Sequence, residues 1–216
     1  MNARALVLLA VTTLVLPLLS WWSNIGGLER LFTDDAPPPG QSLYLGSRLA
    51  GLIAFALIGW QFVLGLSTRF GSGGSAAGRL GRRAHAMLGA ACVALAWMHA
   101  LLFVGAATLR QEHPATALLL PSLRDHYHTM ITLGLVAAVA LTLAALVRLL
   151  RHAALRRTLH RIAYLAPGLA LVHAVSIGTE TRDPALVAFY ALLGAAWVVS
   201  LWLAFAPRLR SVVRVG

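Results

Sequence analysis

Four histidines carry the chemistry that this 216-residue sequence offers most plainly. His85 and His99 lie fourteen residues apart in RRAHAMLGAACVALAWMHALLF, and His160 and His173 lie thirteen apart in RRTLHRIAYLAPGLALVHAVSIG. Each pair follows two arginines, Arg82-Arg83 and Arg156-Arg157. Apolar surroundings give an imidazole few polar partners, and an ionisable side chain inside such a segment is costly and usually functional. Four of them in two matched segments point to metal ligation rather than to four separate packing histidines. On helices rising about 1.5 Å per residue, the members of a pair differ in depth by about 20 Å. That is too far to share one small ion, but it suits two stacked sites, each taking one histidine from each segment. Neutral imidazole suits iron, and histidine is a common axial ligand of haem. Two haems, one above the other, are therefore the expectation.

Positioning these residues falls to apolar helices. The sequence is 59% hydrophobic, 12% charged and has a mean hydropathy of +0.77, whereas soluble domains carry about a quarter charged residues. Apolar runs predict six membrane spans, near residues 5–22, 43–66, 84–107, 128–150, 159–177 and 184–206, each approaching the ~20 residues that cross a bilayer. The first run, preceded by Arg4 and closed by Trp21-Trp22, is read as a retained helix rather than a cleaved signal. Residues 23–42 form a polar loop with Glu29, Asp34, Asp35 and the Pro37–Gly40 breaker. GSGGSAAGRLGRR is read as a flexible linker; its glycines lack the strand and the GK[ST] of a phosphate loop.

Charge sets the orientation. The formal net charge is +11 and every basic residue is an arginine. With both termini in the cytoplasm, the inner segments carry Arg4, the group at 69–83, the group at 148–161 and the three C-terminal arginines. All seven acidic residues then fall outside. The Lys/Arg bias is what orients a membrane protein, so N-in and C-in follows. Basic blocks between apolar runs fit membrane lipid headgroups and exclude nucleic acid as a partner. The single cysteine, Cys92, excludes an intramolecular disulfide and reads as a small buried hydrophobe.

In this orientation the third and fifth spans run the same way. His85 and His160 come near the cytoplasmic face, His99 and His173 toward the outer one. A step of fourteen returns to within about 40° of its starting face at 100° per residue, but a step of thirteen lands about 140° away. Either Pro167-Gly168 kinks or rewinds the helix, or His160 sits on an irregular first turn. Gly89, Ala96, Gly168 and Ala170 suit either a flat macrocycle or close helix packing. Arg82, Arg83, Arg156, Arg157 and Arg161 suit either haem propionates or topology alone. Arg48 either approaches the outer propionates or snorkels to the interface. RDHYH, with His126 and His128 beside Asp125, reads as interfacial polar residues more readily than as an ion site, as does His113. His152 reads as solvated.

The six spans, with H-x13-H on the third and H-x12-H on the fifth, resemble the ferric reductase-like transmembrane domain. Ferric reductases, NADPH oxidases and the haem-binding membrane subunit of the bacterial methionine sulfoxide reductase system share it. The resemblance covers roughly residues 43–206, with 1–42 as a first transmembrane helix and outer loop and 207–216 as a short basic cytoplasmic tail. It implies an all-α, integral membrane six-helix bundle with two b haems between the third and fifth helices. His85 and His160 would hold the inner iron, and His99 and His173 the outer one; beside that implication, the position of Arg82, Arg83 and Arg157 near the inner histidines makes them candidates to contact the cofactor. Electrons would pass from a cytoplasmic flavin or NAD(P)H donor to an external acceptor such as ferric iron. The sequence ends about ten residues after its last span, so FMN or FAD would bind at the cytoplasmic face or on a separate reductase or dehydrogenase. In some methionine sulfoxide reductase subunits an arginine replaces the first histidine; here His85 is present, which implies a complete two-haem set. A subunit donating electrons to a periplasmic methionine sulfoxide reductase is one alternative. A haem-free transporter or structural membrane protein is the alternative of another class.

Overall fold

The computed structural model describes residues 3–25, 37–70, 76–147 and 152–213. Glu29, Asp34 and Asp35 of the first loop, residues 71–75 of the glycine-serine stretch, and Arg148 and Arg151 lie outside the described residues. Among the described residues the chain is all-helical, with no strand. We number the α-helices α1 (Ala3–Ile25), α2 (Gln41–Phe70), α3 (Ala76–Gln111), α4 (His126–Leu146), α5 (Ala153–Ile162), α6 (Ala166–Ile177) and α7 (Pro184–Val213). Single 3₁₀ turns at Thr116–Leu119 and Thr179–Arg182 complete the order.

Among the described residues four stretches are long and apolar enough to cross a membrane: Gln41–Phe62, Leu80–Gln111, His126–Leu146 and Pro184–Leu203. Large apolar side chains lie on the protein surface, Leu192 at 70% and Trp202 at 61% exposure among them. Water would penalise so much exposed hydrocarbon, whereas lipid tails would not, so the surface is that of a membrane-embedded protein.

Helix α2 is the axis of the bundle. Leu52, Phe55, Ala56, Leu57 and Ile58 are buried on it, packed with Cys92 of α3 and with Leu186, Phe189 and Tyr190 of α7. Its long contact with α3 and the contact of α4 with α6 bring the two histidine-bearing segments between flanking helices. The turn into α2 requires a glycine. Gly40 has φ +74°, and a Cβ there would stand 2.7 Å from the Ala106 carbonyl oxygen.

Indole N–H groups close polar ties between helices. Trp60 donates to Thr13 Oγ1 at 2.7 Å, joining α2 to α1, and Trp97 donates to Thr142 Oγ1 at 2.9 Å, joining α3 to α4. A donor without water nearby needs such a partner, so each bond fixes the approach of two helices.

Two expectations are corrected. The supposed linker is helical from Ala76 onward, so Arg82 and Arg83 stand on α3 itself. At 36 residues this helix is about 54 Å long, well beyond the hydrocarbon thickness. The segment read as one fifth span is two helices, α5 and α6, separated by a turn at 163–165. Proline chemistry explains the interruption. Pro167 has no N–H to offer the Ala163 carbonyl, which instead accepts from Ala166 N at 3.2 Å. Tyr164 N to Arg161 O and Leu165 N to Ile162 O are likewise three-residue bonds, so the chain here is wound more tightly than an α-helix.

Candidate functional site

The structure pairs the histidines across segments. The rings of His85 (α3) and His160 (α5) have centroids 6.2 Å apart at an interplanar angle of 70°. Those of His99 (α3) and His173 (α6) are 6.0 Å apart at 82°. Tighter winding at 163–165 helps to bring the second segment into phase. Three residues turning about 120° instead of 100° recover about 60° of the 140° by which a thirteen-residue step misses its starting face.

The separation itself is informative. Two metal–imidazole bonds of about 2 Å, plus about 1 Å from each nitrogen to its ring centre, span about 6 Å end to end. Both pairs match that span. Two nitrogens do not complete the coordination of a bare ion, and among the described residues no group of three or more His, Cys, Asp or Glu is placed to hold one. A metal whose other ligands arrive with it, as in an iron porphyrin, needs only the pair.

Second partners of the outer pair favour ligation. His173 Nδ1 lies 2.7 Å from the Met130 carbonyl and His99 Nδ1 lies 2.8 Å from the Ser47 carbonyl. A carbonyl only accepts, so each Nδ1 carries the proton and each Nε2 keeps a free lone pair, the arrangement seen around metal-ligating histidines. Ser47 Oγ lies 3.1 Å from His99 Nδ1 and donates to the His99 carbonyl at 2.9 Å, clamping α2 to α3 at this level. Space is reserved too. A Cβ at Gly51 would come to 2.9 Å from His99 Nδ1, and one at Gly134 to 2.8 Å from His173 Nδ1.

A cavity of about 450 Å³ accompanies the inner pair, within the range of small-molecule and cofactor sites. His85 and His160 line it with Gly65, Gly89, Cys92 and Tyr164. Gln61 also lines it, and its buried Nε2 has no hydrogen-bond partner. His85 Nδ1 is likewise buried without a partner, the Gln61 backbone lying near it but outside hydrogen-bonding geometry. Orphaned buried donors of this kind call for an explanation, and a ligand in the cavity supplies one. The ring separations suit a metal held between each pair, and the inner pair also has a cavity beside it.

Arg82 and Arg157 each precede a histidine by three residues and so share its helical face, as does Arg156, four before His160. Arg83, two residues before His85, points away from that face. All four side chains are exposed. Arg48 forms a salt bridge with Glu180, the two side chains retaining 15% and 6% exposure, and this carboxylate is within electrostatic reach of His99. Of the small residues singled out, Gly168 serves packing, since a Cβ there would strike the Trp197 ring at 2.6 Å. Trp197 also donates to the Tyr164 carbonyl at 2.7 Å, steadying the turn between α5 and α6.

RDHYH caps a helix. Asp125 is the N-cap of α4 and accepts from His128 N at 2.8 Å, while His128 Nδ1 sits 2.8 Å from the same carboxylate. His113 Nδ1 meets the Gln111 carbonyl at 2.7 Å in an exposed setting. His152, exposed, is the N-cap of α5 and accepts from Leu155 N at 3.5 Å.

Sequence reasoning missed Ser47, Gln61, Met130, Gly51, Gly134 and Glu180. Met130 and Ser47 act through their carbonyls, which no side-chain pattern reveals. The glycines lie on neighbouring helices rather than on the histidine-bearing ones, and only three-dimensional packing exposes their role. Comparison with protein-family models, curated proteins and solved structures found no match to this chain.

Proposed function

We propose that this protein is a two-haem b-type cytochrome carrying electrons across a membrane, from a cytoplasmic flavin or NAD(P)H donor to an external acceptor such as ferric iron. One observation carries the reading: two histidine pairs fourteen residues apart along α3, each at a separation that suits a metal between two imidazoles. Bound haem would supply reversible one-electron chemistry at two depths.

The chain's own residues do the rest. His85 with His160, and His99 with His173, would hold the iron through ring nitrogens on helices that the α2–α3 and α4–α6 contacts hold together. Ser47 and Met130 hold the outer imidazoles in one tautomer and orientation. Arg82, Arg156 and Arg157 present cationic groups beside the inner pair, suited to carboxylates at a cofactor's edge. Arg83, off that face, suits topology and the lipid surface.

In this reading α1 and the α5–α6 segment complete six crossings with both termini inside, as the arginine bias favours. The membrane would then be a bacterial-type plasma membrane. The inner site would face a separate flavin reductase or dehydrogenase, and the outer site the acceptor.

The decisive experiment is a pyridine haemochrome assay on protein purified in mild detergent with its cofactors retained. About two b haems per chain, with a sharp reduced α band, are expected. A colourless preparation would overturn the proposal and return the histidines to packing or proton relay.

A further inference from the structure

We infer that His160 is a detachable ligand, and that the inner site takes a small uncharged molecule, a diatomic gas or a free imidazole, in its place. The inference rests on the two-haem reading and adds a binding function to electron carriage.

Three of the four imidazoles are seated in one way by a neighbouring helix. The seat is a backbone carbonyl with a glycine four residues further on. His99 Nδ1 donates to the Ser47 carbonyl at 2.8 Å, and a Cβ at Gly51 would stand 2.9 Å from that nitrogen. His173 Nδ1 donates to the Met130 carbonyl at 2.7 Å, with Gly134 in the corresponding place at 2.8 Å. For His85 the pieces are Gln61, whose backbone lies near the ring, and Gly65, whose Cβ would stand 3.8 Å from Cε1. Ser47 and Gln61 are fourteen residues apart on α2, as His85 and His99 are on α3. Two facing helices thus share one repeat, and the seat at His85 is its more open copy.

Helix α4 does not complete the set. A seat for His160 would fall about one such repeat beyond Met130 and Gly134, but no glycine lies between Gly134 and Gly168. Ala144, Ala145 and Val147, at the end of α4, line the inner cavity instead. Among the described residues no hydrogen bond holds the His160 ring, whose ring contact is with His85. Its helix is ten residues long and runs into the tight turn at 163–165, whereas His85 stands on the unbroken α3.

A ligand's hold on a metal includes whatever it must give up to leave. His99 or His173 would strand an N–H and a carbonyl in apolar surroundings, which opposes exchange by on the order of tenfold to a hundredfold. His160 gives up only its bond to the iron. One ring nitrogen departs with its lone pair, the incoming donor brings another, and the oxidation state of the iron is unchanged. The pair borders a cavity of about 450 Å³, whose apolar lining, Ile58, Phe62, Val93 and Leu141 among it, disfavours an anion.

Carbon monoxide is the probe. Purified protein with its cofactors retained is reduced with dithionite, and the difference spectrum is recorded in buffer saturated with the gas. About half of the haem absorbance should move to the carbon monoxide form. Movement of all of it, or of none, would overturn the inference. His99→Ala, keeping the inner haem, should respond in full, and His85→Ala, keeping the outer one, should not respond; the reverse pattern would assign the exchange to the wrong site. Should these variants fail to fold, His160→Gly loaded with added imidazole supplies the second test. Once the imidazole is diluted out, the responsive half should bind carbon monoxide at least about tenfold more tightly than in the wild type, because no tethered ring competes. Unchanged affinity, or loss of the response, would mean that another group leaves. A haem-free wild type sinks the two-haem reading itself, a result separable from two haems that both refuse the gas.

Discussion

His173 Nδ1 sits 2.7 Å from the carbonyl oxygen of Met130, and that one bond decides which nitrogen of the ring remains a base. Gly134 lies one helical turn beyond Met130, and a Cβ there would stand 2.8 Å from the same Nδ1. The ring cannot yield without breaking its bond to Met130. Gly134→Ala should therefore displace His173 and cost about 1–3 kcal/mol by overpacking. The expected readout is loss of about half the haem absorbance, with the remainder unaltered. Full retention of both haems would show that the glycine is not reserved for the ring.

Trp197 should matter to the inner site through the turn at 163–165. Its N–H satisfies the Tyr164 carbonyl, and its ring fills the space beside Gly168. Trp197→Phe keeps most of the ring but leaves a carbonyl without its donor, at a cost of about 1–3 kcal/mol. The low-spin EPR signal of the inner haem should broaden while that of the outer haem stays unchanged. Identical spectra would remove Trp197 from any role in positioning His160.

The Arg48–Glu180 pair joins α2 to the 3₁₀ turn that follows α6, and both side chains are largely buried. Removing one partner strands a charge. Arg48→Met should destabilise the fold by about 3 kcal/mol, more than replacing both residues by apolar ones. Unfolding curves of the two single variants and the double variant in mixed micelles would measure this directly. Additive losses would mean the two charges are not coupled.

Acid should loosen the start of α7. Asp183 accepts from Ser20 Oγ and, at 2.9 Å, from Ala185 N, and these bonds hold its carboxyl below the ordinary aspartate range. A depressed folded value means the stabilisation is complete above the unfolded value of about 3.9 and is lost as pH falls below it. The Asp183→Ala variant should lose about 1 kcal/mol at neutral pH, as for other helix caps, and show a flatter acid limb. An unchanged acid limb would place the sensitivity elsewhere.

How much of this was legible beforehand differs by element. Apolar runs located the long helices because lipid imposes length and hydropathy on them directly, and the histidine spacing with the arginine bias implied which rings would meet. The interruption at 163–165 was harder to place. Pro167-Gly168 raised the alternatives, but a proline in an early turn is compatible with an unbroken helix as well as with a break. Only the hydrogen bonds show that the tight winding falls ahead of the proline. The glycine-serine stretch misled because its composition reads as linker, whereas α3 begins at Ala76. Glu180 was counted among the outer acidic residues, and nothing in its neighbours announced a buried partner more than a hundred residues away.

The contrast between α3 and the divided α5–α6 segment has a consequence for how the sequence can drift. His85 and His99 ride one uninterrupted rod, so inserting a single residue between them swings the second ring by about 100° and ruins its register. The opposite wall contains a joint. There an added or missing residue can be taken up by rewinding, and the joint serves as the adjustable side of a vice whose other jaw is fixed.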